Sequence, residues 1–339
     1  MDATKKGKTA QAPMLDEVHN KEFESIAIQL TLSDIKKLCE MKSNFIDIDC
    51  PACLSKAKTL EYTIVDLEYF RCLKCGTVYV TPCPTEEIIG WYLEESEGLR
   101  FWRENMPSHI IESRKKNIYS ERVRFILESA KICNVDPDIV LDIGGGNGEL
   151  AESLAMEKTI KKVIMVEPQP VSLKSNKVEV LQTSIENVRR LNEKANIITA
   201  FEVIEHIPHP EKLLAKIGDF LRPDGIIILS TPNIDGFETS TLKTLSRICW
   251  FDHIILYNTR SLPILLRRCG YEVLDIHTPG QFDYQTIRRE YLDRRINFPD
   301  NPALMYLMED GAIYGEEFQA FLRARGLSSH MKCVGKLSV

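Results

Sequence analysis

The chain has 339 residues, a formal net charge of −6 and 44% hydrophobic residues, enough for one large domain and a small one. The acidic balance argues against non-specific binding to nucleic acid, which depends on neutralising phosphates. No apolar run reaches the about 20 residues that a helix needs to span a bilayer, so no membrane association is expected.

Residues 1–45 are predicted to form a polar tail and a helix. The composition of residues 1–13 is typical of disorder, and helical spacing runs from Glu22 to Met41. The first residues lack the apolar core of a secretory signal. We therefore expect a cytoplasmic protein whose ten cysteines are reduced thiols or metal ligands rather than disulfides.

Residues 46–84 carry two Cys-x-x-Cys pairs separated by eighteen residues, a spacing that indicates a zinc ribbon. The expected ligands are Cys50, Cys53, Cys72 and Cys75. Four thiolates complete a tetrahedral zinc site, which indicates a structural metal. Cys83 is predicted to be a non-ligand. Because so small a module cannot bury a sufficient core, metal binding is expected to supply about 10 kcal/mol of folding free energy. Short strands are predicted at 61–65, 67–71 and 77–80.

A helical linker over 85–137 is predicted to lead into a domain over 138–278 in which strands and helices alternate. This alternation is typical of a parallel sheet with right-handed crossovers. The strands are expected at 139–143, 162–167, 178–182, 197–201, 225–230 and 271–277. The last segment, 279–339, is expected to add a helical cover over 279–329 and a final strand near 331–337.

The turn that follows the first of these strands carries the clearest chemical signal. An apolar strand stops at glycines over 144–148, and a helical pattern resumes at Glu149. Glycine permits a sharp turn and a close approach of the backbone to a ligand. N–H groups at a helix N-terminus suit a nucleotide-like ligand. The next strand ends at Glu167, where a carboxylate can hold a ribose diol.

A second chemical signal is the segment Phe201-Glu202-Val203-Ile204-Glu205-His206, which follows a later strand. If a helical turn begins there, Glu202, Glu205 and His206 share one face. His206 could then act as a general base. Alternatively, the three side chains could bind a divalent ion, Mg²⁺, that lowers the pKa of a substrate hydroxyl. The third interpretation is that Glu205 and His206 only cap or pair at a loop surface.

Together with Leu221-Arg222-Pro223-Asp224-Gly225, these motifs resemble the class I S-adenosylmethionine (SAM) methyltransferases. Within them the chain resembles the ubiquinone-type O-methyltransferase and sugar-methyltransferase branch, most closely over 140–233. The resemblance implies an α/β, Rossmann-like, seven-stranded sheet, preceded here by a small zinc ribbon and carrying a helical insertion near the C-terminus. It implies SAM as cofactor, bound by Asp142, Gly144, Gly146, Gly148, Glu167, Ser184, Ile185 and Glu202.

The resemblance also implies the catalytic candidates. Ubiquinone-pathway and metal-dependent small-RNA methyltransferases carry a matching Glu-x-x-Glu-His, and in the latter a further histidine assists, a place that His253 could take. Glu205, His206 and His253 are therefore the predicted catalytic residues.

The predicted acceptor is a small molecule with a hydroxyl group: a sugar, nucleotide sugar or natural-product precursor. Tyr284, Arg288, Tyr291 and Arg295 would form one stripe on a helix. This stripe either suits a phosphate beside a sugar ring or belongs to a half-buried helix packed on the sheet. One alternative is an RNA methyltransferase, which the near-neutral ribbon disfavours. Another is a SAM-binding protein without catalysis. The oligomeric state is left open.

Overall fold

A computed structural model describes Leu15 and residues 20–251, 253–310 and 314–338. The predicted disordered tail, 1–13, lies outside the described residues. The first long helix begins where the Asn20 side chain accepts a hydrogen bond from the Phe23 N–H at 2.9 Å. The helices are α1 (Lys21–Cys39), α2 (Glu86–Glu95), α3 (Glu97–Asn105), α4 (Ser108–Arg114), α5 (Ser120–Ile132), α6 (Glu149–Ala155), α7 (Pro210–Phe220), α8 (Phe237–Leu242), α9 (Ser261–Arg268), α10 (Asp283–Leu292), α11 (Pro302–Asp310) and α12 (Gly315–Ala324). Within the described ranges, no helix is both long and apolar enough to cross a membrane.

The described part of the chain contains two β-sheets. The strands are β1 (Lys58–Ile64), β2 (Leu67–Cys72), β3 (Val78–Val80), β4 (Ile139–Ile143), β5 (Lys162–Val166), β6 (Val178–Leu181), β7 (Ala195–Phe201), β8 (Leu221–Pro232), β9 (Ile255–Leu256), β10 (Tyr271–His277) and β11 (His330–Leu337). The larger sheet has the order β10-β11-β8-β7-β4-β5-β6 and the smaller the order β1-β2-β3-β9.

The seven-stranded sheet confirms the predicted Rossmann-like fold. Strands β4 to β8 pair in parallel, and β11 pairs antiparallel with both β8 and β10. All residues of β4 and β7 are buried, as expected for strands covered by helices on both faces. The carboxyl ends of β4, β5 and β7 meet at one edge, which brings together the glycine turn, Glu167 and Glu202.

The ribbon predicted over 46–84 is joined to a later part of the chain. Its short strand β3 is buried along its whole length and pairs with β9, which lies in the segment assigned to the larger domain. Tyr69 and Tyr79 belong to the same hydrophobic cluster as Ile198 and Ile227 of the large sheet. The ribbon therefore shares a core with the large sheet, because the apolar residues of β3 need partners that the small module lacks.

The C-terminal helices correct the interpretation of the tyrosine–arginine stripe. The Tyr284 hydroxyl donates to the Leu307 carbonyl at 3.1 Å, and Arg288 Nε donates to the Met308 carbonyl at 2.9 Å. The Tyr291 hydroxyl donates to Oε1 of Glu309 at 3.0 Å. All three acceptors belong to α11. Tyr284, Arg288 and Tyr291 thus join α10 to α11. Arg295 lies beyond the end of α10 and pairs with Glu290 at 3.2 Å, so the four side chains do not form one stripe on a helix.

Candidate functional site

The glycine turn after β4 has a backbone that favours glycine. Gly144, Gly146 and Gly148 have φ values of +69°, +56° and +84°, a region that other residues rarely adopt. A Cβ on Gly144 would lie 2.6 Å from Cγ2 of Val203, whereas one on Gly146 would meet nothing within 4 Å. Gly146 thus leaves its backbone open to a ligand.

A cavity of about 240 Å³ lies above this turn. The edge of the sheet contributes Asp142, Gly144, Gly145, Gly146, Asn147, Glu149, Leu150, Phe201 and Glu202. Helices α3 to α5 and the turn between α4 and α5 contribute Trp102, Arg103, Met106, Ile111, Arg114, Tyr119 and Arg122. The cavity combines a backbone turn, carboxylates, aromatic rings and guanidinium groups, which suits a zwitterionic ligand.

Asp142 is a buried carboxylate on this cavity, only 2% exposed. Its Oδ1 accepts a hydrogen bond from Thr199 Oγ1 at 2.7 Å, while Oδ2 has no hydrogen-bond partner among the described residues. Burial raises the pKa of Asp142 to about 6. Because an unsatisfied buried acceptor is costly, this oxygen fits a cationic donor on a bound ligand.

Glu167 follows β5 and is tied to the glycine turn. Its Oε2 accepts from the Gly146 N–H at 3.0 Å, and its Oε1 accepts from the Gln169 N–H at 3.1 Å. Burial raises the pKa of Glu167 above its usual value. The carboxylate therefore stands at the rim of the turn, where a ribose diol would meet it.

Four predicted cofactor residues, Glu167, Gly148, Ser184 and Ile185, lie outside the cavity lining. Gly148 begins α6. Ser184 precedes a short turn, Ile185–Asn187, and Ile185 is buried in the main core. An adenine contact at Ser184 and Ile185 stays a prediction.

Glu202 corrects the predicted arrangement of the Glu-x-x-Glu-His segment. Its φ is +56°, and the short helical turn begins only at Ile204, so the shared helix face does not form. The Glu202 carboxylate instead accepts from Ser230 Oγ at 2.6 Å and lies near Arg122 (3.9 Å) and His330 (3.6 Å). Burial opposes ionisation, but His330, Arg122 and Ser230 hold the pKa of Glu202 below its usual value.

Glu205, His206 and His253 form a second group, whose ligand atoms all lie within 4.8 Å of one another. Glu205 is fully buried, and the two imidazole centroids are 5.0 Å apart. His253 Nδ1 lies 2.8 Å from the Ile248 carbonyl oxygen. Since a carbonyl only accepts, Nδ1 carries the proton and Nε2 keeps its lone pair.

This second group lies beside the cavity rather than in its lining. Glu205 and His206 follow Glu202 closely in the chain, and Glu202 lines the cavity. The structure therefore brings His253 to Glu205 and His206, and it places Glu202 between this group and the glycine turn. An imidazole lone pair beside a buried carboxylate can take up a proton or ligate a metal ion.

The four cysteines of the ribbon converge. The Sγ atoms of Cys50 and Cys75 are 3.5 Å apart, and those of Cys53 and Cys72 are 3.6 Å apart. Tetrahedral zinc with bonds of about 2.3 Å requires sulfur separations of about 3.8 Å, so this group fits zinc. Cys83 is buried and is not part of the group.

The sequence analysis missed the arginines of the cavity. Arg122 packs its guanidinium on Phe201 at 4.9 Å and approaches Glu202, while Arg103 and Arg114 line the cavity from α3 and α4. These residues lie in a segment predicted only as a helical linker. No local motif distinguishes them from arginines on a solvated helix face.

Comparison with known proteins agrees with this geometry. Residues 111–276 match a family model described as a methyltransferase domain. This stretch of the chain is therefore similar to a methyltransferase domain. Two curated relatives are ubiquinone biosynthesis O-methyltransferases. The one from Haemophilus ducreyi is 34% identical over 107 residues, covering 28% of this chain and 45% of the relative. The one from Marinobacter nauticus is 30% identical over 152 residues, covering 41% and 60%.

The chain thus spans about half the length of the curated relatives that it matches. Among solved structures, it is similar to an S-adenosylmethionine-dependent methyltransferase from Clostridium acetobutylicum. That similarity has 12% sequence identity and a TM-score of 0.42, and it covers 65% of this chain and 92% of the other.

The four-cysteine group leads to a prediction about metal content. We expect the purified protein to hold about one zinc ion per chain, and Cys75→Ser to lose most of it because a ligand is removed. Elemental analysis by mass spectrometry measures the content. Cys83→Ser is the matched control and should keep its zinc. Equal zinc in both variants would show that Cys75 is not a ligand.

Proposed function

We propose that this chain transfers a methyl group from SAM to a hydroxyl group of a small-molecule acceptor. The observation that carries the proposal is the cavity on the glycine turn, where the unpartnered Oδ2 of Asp142 and the carboxylate of Glu202 face one ligand-sized space. SAM would supply an already activated methyl group. The names of the curated relatives, ubiquinone biosynthesis O-methyltransferases, support transfer to oxygen.

The cofactor contacts follow from charge and position. The ammonium group of the cofactor would give the buried Oδ2 of Asp142 the donor that the described residues do not supply. Glu167, held at the rim by Gly146 and Gln169, would bind the ribose hydroxyls. We assign the adenine edge to Ser184 and Ile185, as the resemblance implies.

We assign proton uptake to His253. Its Nδ1–H bond to the Ile248 carbonyl leaves Nε2 as the acceptor of the substrate's hydroxyl proton. The buried Glu205 carboxylate nearby stabilises the imidazolium that forms. Glu205, His206 and His253 are also an alternative site for a divalent ion such as Mg²⁺. In both cases, holding the acceptor in line with the methyl group supplies most of the acceleration.

The cavity arginines support an anionic acceptor, and we propose a nucleotide sugar. Arg122 is engaged by Glu202 and by Phe201. Arg103 lies close enough to Glu167 to favour its charged form, and Arg114 lines the cavity from α4. The single carboxylate of the cofactor can pair closely with only one of these two guanidinium groups. The other is then left for a phosphate of the acceptor. For the four-cysteine group we propose a structural zinc ion.

The first test of the cofactor site uses pH. Affinity for S-adenosylhomocysteine should fall as the pH drops through about 6, because protonated Asp142 cannot pair with the ligand's ammonium. Below that pKa the loss should approach about tenfold per pH unit. Calorimetry of the wild type and Asp142→Asn measures it, and the variant should bind weakly with little pH dependence. Glu167→Ala should bind about tenfold more weakly yet keep the pH dependence. A wild-type affinity that is flat from pH 5 to pH 8 would contradict the role of Asp142.

The second test measures transfer of labelled methyl groups from SAM into a cell extract separated into metabolites, RNA and protein. We expect label in the metabolite fraction and an about 100-fold loss in His253→Ala, with unchanged affinity for S-adenosylhomocysteine. His209→Ala, which removes a histidine that faces Glu211, should behave as wild type. Label in RNA would instead support the RNA alternative. Loss of transfer in EDTA, with the zinc retained, would assign the Glu205–His206–His253 group to metal binding.

The third test concerns the arginines. In the presence of S-adenosylhomocysteine, uridine diphosphate should bind, and either Arg103→Gln or Arg114→Gln should weaken it about tenfold. Arg124→Gln, on α5 but outside the cavity lining, is the matched control. Citrate in place of the diphosphate distinguishes a carboxylate site from a phosphate site. Unchanged binding of both anions in both variants would exclude an anionic acceptor at this place.

A further inference from the structure

The backbone of Ile254 joins the ribbon to the candidate catalytic group, because its carbonyl and its N–H bond to different segments. The Val80 N–H of β3 donates to the Ile254 carbonyl at 2.9 Å, and the Ile254 N–H donates to the Glu205 carbonyl at 3.0 Å. Ile254 is 1% exposed, and its neighbour in the chain is His253. A displacement of β3 would therefore shift the main chain that carries Glu205 and His253.

A second bond joins the same segment to the metal-binding turn. Asn258 follows β9 and is 1% exposed. Its Nδ2 donates to the carbonyl of Cys75 at 3.2 Å. Its Oδ1 accepts from the N–H groups of Arg260 and Ser261, at 3.0 Å and 2.8 Å, before α9. Asn258 thus connects a metal-ligand turn to the strand that begins two residues after His253.

The contact between Asn258 and the turn is close. Gly76 has a φ of +82°, and a Cβ placed there would lie 2.6 Å from Asn258 Nδ2. The amide can reach the Cys75 carbonyl because the turn keeps this shape. A metal ion bound by all four sulfurs would hold the two cysteine turns together, and with them β3 and its partner β9.

We propose that the four-cysteine metal module is a positioning element for His253 and Glu205, acting through β3, β9 and Asn258. The expected effect on kcat rests on the proposed function. The coupling between the cysteine module and the two histidines does not depend on it. The cofactor turn follows β4 of the seven-stranded sheet, whereas the β3–β9 pairing belongs to the four-stranded sheet. Disturbing the module should therefore lower kcat and leave cofactor affinity unchanged.

Asn258→Asp tests the bridge selectively. The aspartate keeps an oxygen for the N–H groups of Arg260 and Ser261, but it cannot donate to the Cys75 carbonyl. We expect an about tenfold lower kcat, unchanged affinity for S-adenosylhomocysteine and shifted ring resonances of His206 and His253. Labelled histidine makes the protein's seven imidazoles observable by NMR, and His206→Ala and His253→Ala assign them.

Arg268→Ala is the matched control. It removes a hydrogen bond from Arg268 to the Pro51 carbonyl, which joins the other cysteine turn to α9 and bypasses β9. The variant should retain wild-type kcat and unshifted His206 and His253 resonances. If both variants shift these resonances equally, the change reflects general loosening of the ribbon, and the role of Asn258 is overturned.

Metal removal from the wild-type protein gives a test that does not depend on how Asn258→Asp folds. Chelation should shift the His206 and His253 resonances, and about one equivalent of Zn²⁺ should restore them. Resonances that stay in place while the zinc leaves would overturn the proposal. If the wild type transfers no methyl group to any fraction, the proposed function fails, and these resonances still decide whether the coupling exists.

Discussion

The pairing of β3 with β9 is the interaction on which the arrangement of the candidate site depends. β3 is buried along its length, and its apolar side chains and backbone groups both require a partner inside the protein. β9 supplies that partner from a segment more than 170 residues later in the chain. The same segment passes the end of β7, so Ile254 bonds to Glu205 and His253 comes to lie beside His206. The ribbon is thus part of the core that shapes the site.

The surroundings of two carboxylates on the cavity, Asp142 and Glu202, shift their pKa values in opposite directions. Burial raises the pKa of Asp142 to about 6, since only one of its oxygens has a hydrogen-bond donor among the described residues. Glu202 is half-buried; burial opposes its ionisation, but His330, Arg122 and Ser230 lower its pKa. Glu202 therefore remains charged and is balanced within the protein. Asp142 has one oxygen without a hydrogen-bond partner among the described residues, so a cationic ligand at this oxygen would favour its charged form.

The parts of the fold that depend on local sequence were predictable. Apolar runs bounded by glycine or polar residues located the strands of the large sheet to within a few residues, except β8, which is longer at both ends. The glycines of the turn after β4 have positive φ, as expected for a backbone that only glycine adopts easily. The two Cys-x-x-Cys pairs were recognisable because each places its thiols on one short turn, and the structure brings all four sulfurs together.

The sequence by itself therefore determined the sheet, the cofactor-type turn and the four-cysteine group, since these follow from the local conformation of adjacent residues. The tertiary structure alone decided the partners of the site. Glu202 has a left-handed backbone, and its carboxylate lies against Ser230 and Arg122. Strand β9 pairs with β3 of the ribbon. Helices α3 and α4 place Arg103 and Arg114 over the glycine turn. Each of these contacts joins residues far apart in the chain, and packing among distant segments leaves no periodic or spaced pattern in the sequence.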